Sequence, residues 1–206
     1  MSWNVRNATW MTALLLLCAV HGCESNQPEE IELAASPSIN AVKTMKLTSD
    51  GFEAGKTIDV KYTVEGADVS PPLSWSDVPD GTMSFALICD DPDAPSPRKP
   101  AAEPWVHWIL FNIPADSTGL PEHVSRDPEP ATITGAKQGH NSWPSDNLGY
   151  RGPAPPPGSG PHRYFFKLYA LDTLLELDSG ISKAELLKAM SGHVLGEGEL
   201  FGVYER

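Results

Sequence analysis

Alternation of apolar and polar residues organises most of this chain into strands. Thr57 to Val64 (TIDVKYTV) alternates Ile58, Val60, Tyr62 and Val64 with polar neighbours, which predicts a half-buried strand. Ser84 to Cys89 (SFALIC) is a short continuous apolar run, as a strand covered on both faces requires. Trp105 to Ile113 (WVHWILFNI) is longer and equally apolar, Tyr164 to Leu171 (YFFKLYAL) follows, and Leu200 to Tyr204 is the last. One helix is signalled. Ser182-Lys183-Ala184-Glu185 forms a capping box, Leu186, Leu187, Met190 and Val194 supply an apolar stripe, and Gly192 fits the stop. Strands outnumber helices and no βαβ alternation occurs, so the pattern predicts a mainly β fold, an antiparallel β-sandwich with one or two short helices.

The pattern changes at both ends of this region. Met11 to Val20 (MTALLLLCAV) is an apolar run with Arg6 as the only charge before Glu24. Its length suits a signal-peptide h-region better than a membrane span. Gly22-Cys23 behind it resembles a bacterial lipobox, which predicts lipidation of Cys23; the alternative is an ordinary cleaved signal leaving a free thiol. Residues 24–44 are polar and acidic with scattered prolines, the composition of a flexible tether. The expected organisation is a signal peptide over residues 1–22, a lipidated N-terminus and tether over 23–44, and one domain over 45–206. The expected location is the bacterial cell envelope, with the exported protein anchored to a membrane on its periplasmic or surface side.

Charge and cysteines narrow the function. A net charge of −12, with 15 dispersed Lys and Arg, provides no basic stripe for a nucleic-acid backbone. An acidic surface does not steer anionic lipid head groups either, so any anion must be held by a local pocket. Cys89 stands alone on an apolar strand of the mature domain and is expected to be a small buried hydrophobe.

Three segments set polar groups beside apolar sequence. Asp90-Asp91-Pro92-Asp93-Ala94-Pro95 follows SFALIC, and prolines on both sides of Asp93 restrict its backbone. Alone, this is an ordinary acidic turn. In Trp105-Val106-His107-Trp108, period two places Trp105, His107, Ile109 and Phe111 on one face, where an imidazole is a bonded core histidine or the polar end of a pocket. In His162-Arg163-Tyr164 the same period sets His162 and Tyr164 with Phe166 and Leu168. Arg163 points away, as a surface charge or the partner of an acid. Between Ile113 and His162 lies a long proline-rich stretch without a convincing strand; Gly149-Tyr150-Arg151-Gly152-Pro153 looks stiffened, which favours a built site.

The order DDPDAP, WVHW, GY-x-GP and HRY before an apolar strand resembles the phosphatidylethanolamine-binding protein family, in its bacterial Raf-kinase-inhibitor-like branch. Ser70-Pro71-Pro72-Leu73-Ser74-Trp75, Gly192-His193-Val194-Leu195 and Gly202-Val203-Tyr204 extend the resemblance over Met45 to Arg206. It implies a sandwich of antiparallel sheets with a small ligand pocket at one end, and no C-terminal helix after Arg206. Matching motifs make Asp91, Asp93, Trp105, His107, Gly152, Pro153, His162 and Tyr164 the ligand-binding candidates. Ala154 stands where bacterial relatives often carry cysteine (GPCPP), which argues against a redox or covalent role for that position.

The expected chemistry is capture of a small anionic ligand or phospholipid head group, with no cofactor, no metal and no catalytic residue. A carboxylate would orient a histidine and favour imidazolium, while the other ring nitrogen, the Tyr164 hydroxyl and loop N–H groups donate to phosphate or carboxylate oxygens. Trp105 would form an apolar wall, with a cation–π face for an amine. Three other functions compete. Two His and two Asp could ligate zinc, but no close-spaced His pair occurs. Asp and His could support hydrolysis, but no G-x-S-x-G elbow occurs, and Ser142 and Ser159 lie in loops without an activating motif. The acidic surface and proline-rich loop could instead bind an envelope protein partner such as a protease. The resemblance also allows a homodimer.

Overall fold

Continuous apolar strands are needed where a sheet is covered on both faces, and this chain builds that arrangement. The computed structural model describes residues 42–145 and 147–206. These form strands β1 (Lys43–Thr44), β2 (Lys46–Thr48), β3 (Leu73–Ser76), β4 (Ser84–Asp91), β5 (Trp105–Pro114), β6 (Gly119–Leu120), β7 (Lys137–Gln138), β8 (His162–Leu171) and β9 (Val194–Tyr204), with helix α1 (Lys183–Met190). One six-stranded sheet has the order β1-β9-β8-β4-β5-β7, and a three-stranded sheet has the order β2-β3-β6. The β1–β9 pair is parallel, and the other ladders are antiparallel.

The β4 sequence shows how two layers use period two. Phe85, Leu87 and Cys89 enter one core with Leu47, Leu73, Trp75 and Leu120 of the smaller sheet, and with Phe166 and Leu168 of β8. Ala86 and Ile88 face a second core built with Leu175, Leu186 and Met190. The first core is the sandwich interior; the second fixes α1 against the outer face of the large sheet. Burial raises the Cys89 thiol pKa well above its ordinary value, so the thiol stays protonated.

The capping box forms as its sequence requires. Ser182 Oγ accepts the Glu185 N–H, and the Glu185 carboxylate accepts the Ser182 N–H. Leu186 and Met190 are buried, whereas Leu187 is exposed and Val194 begins β9, so the apolar stripe is narrower than expected. Lys183 in the first turn and Lys167 on β8 both reach the buried Asp90 carboxylate, pinning the helix to the sheet.

Three local expectations are corrected. Thr57 to Val64 does not form a strand: Asp59 accepts the Lys61 N–H at 2.8 Å and caps a 3-10 turn over Val60–Tyr62. Ile58 and Tyr62 are buried while Val60 is 51% exposed, so the apparent alternation does not correspond to one buried face. Lys43 and Thr44, assigned to the tether, pair with Gly196 and Glu197. The common face expected for Trp105, His107, Ile109 and Phe111 is broken, because Cys89 pairs with Trp108 but Asp90 pairs with Val106. His107 is the extra residue of this β-bulge. Ile109 and Phe111 therefore join the helix-side core, while His107 turns toward the sandwich end. The signal-peptide, Cys23 and most of the tether assignments lie outside the described residues.

Candidate ligand-binding site

At the end of the sandwich where β4 finishes and β5 and β8 begin, a cavity of about 360 Å³ opens. Asp91, Trp105, His107 and His162 contribute from the three strands. Ala94, Pro95, Ala101, Trp143, Ala154, Pro155 and Pro156 complete the wall from the loops. Register explains the strand contribution, since Asp91 lies directly opposite Trp105. The long loop is fixed to β5 by reciprocal contacts: Val106 N–H donates to Ser142 Oγ and Ser142 N–H donates to the Val106 carbonyl, both at 2.9 Å. This holds Trp143 edge-on to both Trp105 and His107, with ring centroids 5.5 and 5.0 Å away.

The two histidines are anchored differently. His107 Nδ1 lies 2.6 Å from the Arg151 carbonyl; a carbonyl only accepts, so Nδ1 carries hydrogen. Burial lowers the His107 pKa below its ordinary value, opposed chiefly by that carbonyl contact. The neutral ring thus has its lone pair on Nε2. His162 Nδ1 lies 2.7 Å from Asp91 Oδ2, and its Nε2 lies 3.1 Å from Ser159 Oγ. The second Asp91 oxygen accepts the Asp93 N–H at 2.8 Å. Asp91 is therefore committed to orienting His162 and the turn behind β4.

The remaining candidates occupy supporting positions. Asp93 is absent from the cavity wall and instead forms a forked pair with Arg163, from Nε to Oδ2 and from Nη2 to Oδ1, each at 2.8 Å. The Arg163 N–H also donates to Oδ2 at 3.0 Å. These contacts hold the Asp93 carboxyl below its ordinary pKa, with the Arg163 side-chain hydrogen bonds the largest cause. Gly152 and Pro153 do not line the cavity either. Gly152 donates to Asp68 Oδ1 at 2.7 Å, and a Cβ there would stand 2.2 Å from the Tyr62 carbonyl oxygen. The Pro153 carbonyl accepts the Val64 N–H at 3.2 Å. Both residues dock the loop so that Ala154 to Pro156 reach the cavity.

Tyr164 packs edge-on against His107, with centroids 5.0 Å apart. Its hydroxyl is buried and has no hydrogen-bond partner among the described residues. Burial, reinforced by Asp91, raises its pKa, so it remains an O–H donor.

Trp143, Pro95 and the Ala154 to Pro156 wall were not among the site residues expected from sequence. Trp143 sits in a loop with no periodicity to aim it; the Asn141 side chain, which accepts the Trp143 N–H at 3.0 Å, is the nearest local signal. Among the described residues, no group of three His, Cys, Asp or Glu is placed to hold a metal ion. No Lys or Arg among the described residues belongs to the cavity wall. The ionisable groups of the wall are Asp91, His107 and His162, set among apolar side chains.

Comparison with known proteins places this architecture. The sequence pattern described as "Phosphatidylethanolamine-binding protein" matches residues 48–205. A UPF0098 protein of Methanothermobacter thermautotrophicus is 53% identical over 163 residues, covering 79% of this chain and 99% of that one. A UPF0098 protein of Aquifex aeolicus is 40% identical, covering 79% and 89%. Among solved structures, E. coli YbcL, described as a member of the mammalian family, superposes with a TM-score of 0.70 at 36% identity, covering 79% of this chain and 98% of that one. A homologue from Chlamydia trachomatis gives 0.68 at 40% identity, covering 80% and 99%. With its family pattern, its fold and its sequence relatives in agreement, this chain belongs to the phosphatidylethanolamine-binding protein family.

Proposed function

We propose that this protein binds a small oxyanion, a phosphate or a phospholipid head group, in the cavity between Asp91, Trp105, His107 and His162. The observation that carries this reading is that both cavity histidines are anchored through Nδ1, one on the Arg151 carbonyl and one on Asp91. Such anchoring fixes both rings; at His107 it leaves Nε2 as the atom that changes protonation, while His162 Nε2 meets Ser159 Oγ. An arriving anion offsets the burial cost that keeps His107 neutral, so binding draws a proton onto the ring. Trp105, Trp143 and the Pro155–Pro156 wall then shelter the charge-assisted hydrogen bonds from water.

Titration calorimetry with inorganic phosphate and phosphoethanolamine tests the reading. Affinity should strengthen as pH falls toward the lowered His107 pKa, with proton uptake seen as a buffer-dependent heat. A pH-independent affinity with no proton uptake would rule out the mechanism. Comparing phosphate with short-chain phospholipid separates a free anion from a lipid head group.

We further propose that the protein is exported and anchored through Cys23. The apolar run Met11 to Val20 followed by Gly22-Cys23 supports this reading. Mass spectrometry of the mature N-terminus tests it: a diacylated Cys23 is expected, and an unprocessed Met1 would overturn it.

A further inference from the structure

The hydrogen bond from Asp91 to His162 continues to Ser159. Ser159 Oγ lies 3.1 Å from His162 Nε2, and His162 Nδ1 lies 2.7 Å from Asp91 Oδ2. Asp91 Oδ1 is fixed by the Asp93 N–H, so the carboxylate is held against the ring rather than turned to solvent. With Nδ1–H donated to Asp91, the neutral ring presents a lone pair at Nε2, to which the Ser159 hydroxyl donates. The hydroxyl has one weaker alternative, the Gly160 carbonyl at 3.4 Å.

We propose that Ser159 is a nucleophile activated by His162, with Asp91 as the residue that positions the base, and that it reacts with small carboxylic esters seated in the cavity. Three observations converge on this group. The order hydroxyl, imidazole, carboxylate is the arrangement that turns an unreactive serine into a nucleophile, on whatever fold it occurs. By contrast Ser142, another serine of the proline-rich segment, accepts the Val106 N–H at 2.9 Å. Ser159 is not itself part of the cavity wall but stands directly behind it: its N–H donates to the Pro156 carbonyl at 3.0 Å and its Oγ meets His162 Nε2, and Pro156 and His162 both line the cavity. The apolar wall from Pro155, Pro156 and Trp105 suits an uncharged acyl group. This inference does not rest on anion binding, because acylation of Ser159 requires no bound phosphate.

In the reaction, Oγ attacks the ester carbonyl carbon and forms a new C–O bond while its proton moves to His162 Nε2. The tetrahedral adduct collapses, the bond to the alcohol oxygen breaks, and the alcohol leaves with the proton from Nε2. Water then attacks the acyl-serine, passing a proton through the same nitrogen to the departing Oγ. A carboxylic acid and an alcohol result, and no oxidant or further co-reactant is consumed.

Full-chain protein treated with p-nitrophenyl acetate, and separately with a fluorophosphonate probe, decides the matter by intact mass and peptide mapping. A single adduct on Ser159 is expected, absent in Ser159→Ala. Acylation should slow on the order of 100-fold in His162→Gln, the scale of a lost general base, and also fall in Asp91→Asn. Failure of the wild-type protein to form an adduct on Ser159 would overturn the proposal, as would an adduct forming at the same rate in folded His162→Gln. Near-UV circular dichroism identifies folded variants, and the wild-type mapping needs no variant. Phosphate titration of Ser159→Ala reports anion binding separately, so the two readings can fail independently.

Discussion

His107 and Arg151 grip each other twice: the Arg151 N–H donates to the His107 carbonyl at 3.0 Å, and the His107 ring donates from Nδ1 to the Arg151 carbonyl at 2.6 Å. The bulge makes this possible, because an extra residue in β5 leaves His107 outside the regular ladder. A strand irregularity, a loop and an imidazole tautomer are thereby one device.

The tautomer follows from that contact and is directly observable. Nitrogen NMR at neutral pH should show His107 protonated at Nδ1 and unprotonated at Nε2, titrating below the ordinary histidine value of about 6.5. The sign for stability is fixed by the same shift. The unfolded chain takes up the proton first as pH falls, so the contribution is complete above the unfolded pKa. It declines as pH drops from there through the lowered folded value. Thermal midpoints across this window should fall more steeply for wild type than for His107→Gln.

Asp91 and Asp93 of the DDPDAP segment should separate cleanly by phosphate titration. Asp91→Asn alters the partner of His162 and is expected to weaken binding by about tenfold or more, the scale of a lost charge-assisted hydrogen bond. Asp93→Asn disturbs the Arg163 pair and should leave affinity within about twofold, since Asp93 lies off the cavity wall and roughly 1.4 kcal/mol is needed for a tenfold change. Its effect belongs to acid stability. The lowered Asp93 pKa gives stability above the unfolded carboxyl value that disappears as pH falls through the folded one. Arg163 is half exposed, so solvent screening keeps that contribution small.

Two glycines of the proline-rich loop make a contrasting pair. Gly152→Ala would drive a Cβ to 2.2 Å from the Tyr62 carbonyl oxygen, backbone against backbone, and should cost about 3 kcal/mol or more in urea unfolding. Gly158 has a φ of 74° with nothing within 4 Å of a Cβ. Gly158→Ala should therefore cost only the left-handed backbone penalty, about 1 kcal/mol.

Trp143 should matter to ligand and little to fold. It is half-buried and packs on Trp105 and His107 at the cavity, outside both cores. Trp143→Ala is expected to weaken short-chain phospholipid binding about tenfold, from lost apolar contact worth roughly 1–2 kcal/mol, while the thermal midpoint moves by only a few degrees. An unchanged affinity would remove Trp143 from the site.

Strand β8 was legible because nothing interrupts its alternation: His162, Tyr164, Phe166 and Leu168 share a face as period two requires. Helix α1 was legible because a capping box is a local device. In β5 the same logic failed at a single residue, since the bulge is set by how β4 and β5 pair, not by the composition of either strand. The segment around Val60 failed for a different reason: the short-range Asp59 cap and the burial of Ile58 and Tyr62 outweighed an accidental alternation.

The sequence by itself determined a β-rich sandwich, its one capped helix, and which polar residues adjoin apolar strands, because periodicity and capping act over a few neighbouring residues. Only the tertiary structure decided their roles, because those depend on contacts between residues far apart in the chain. Asp93 turned to Arg163, Gly152 and Pro153 became the dock of a loop, and Trp143 entered the cavity wall. Ser159 and Asp91 met on opposite sides of one imidazole, 68 residues apart in sequence (159 minus 91). No pattern confined to either segment encodes that meeting; the pairing of β4 with β8 does.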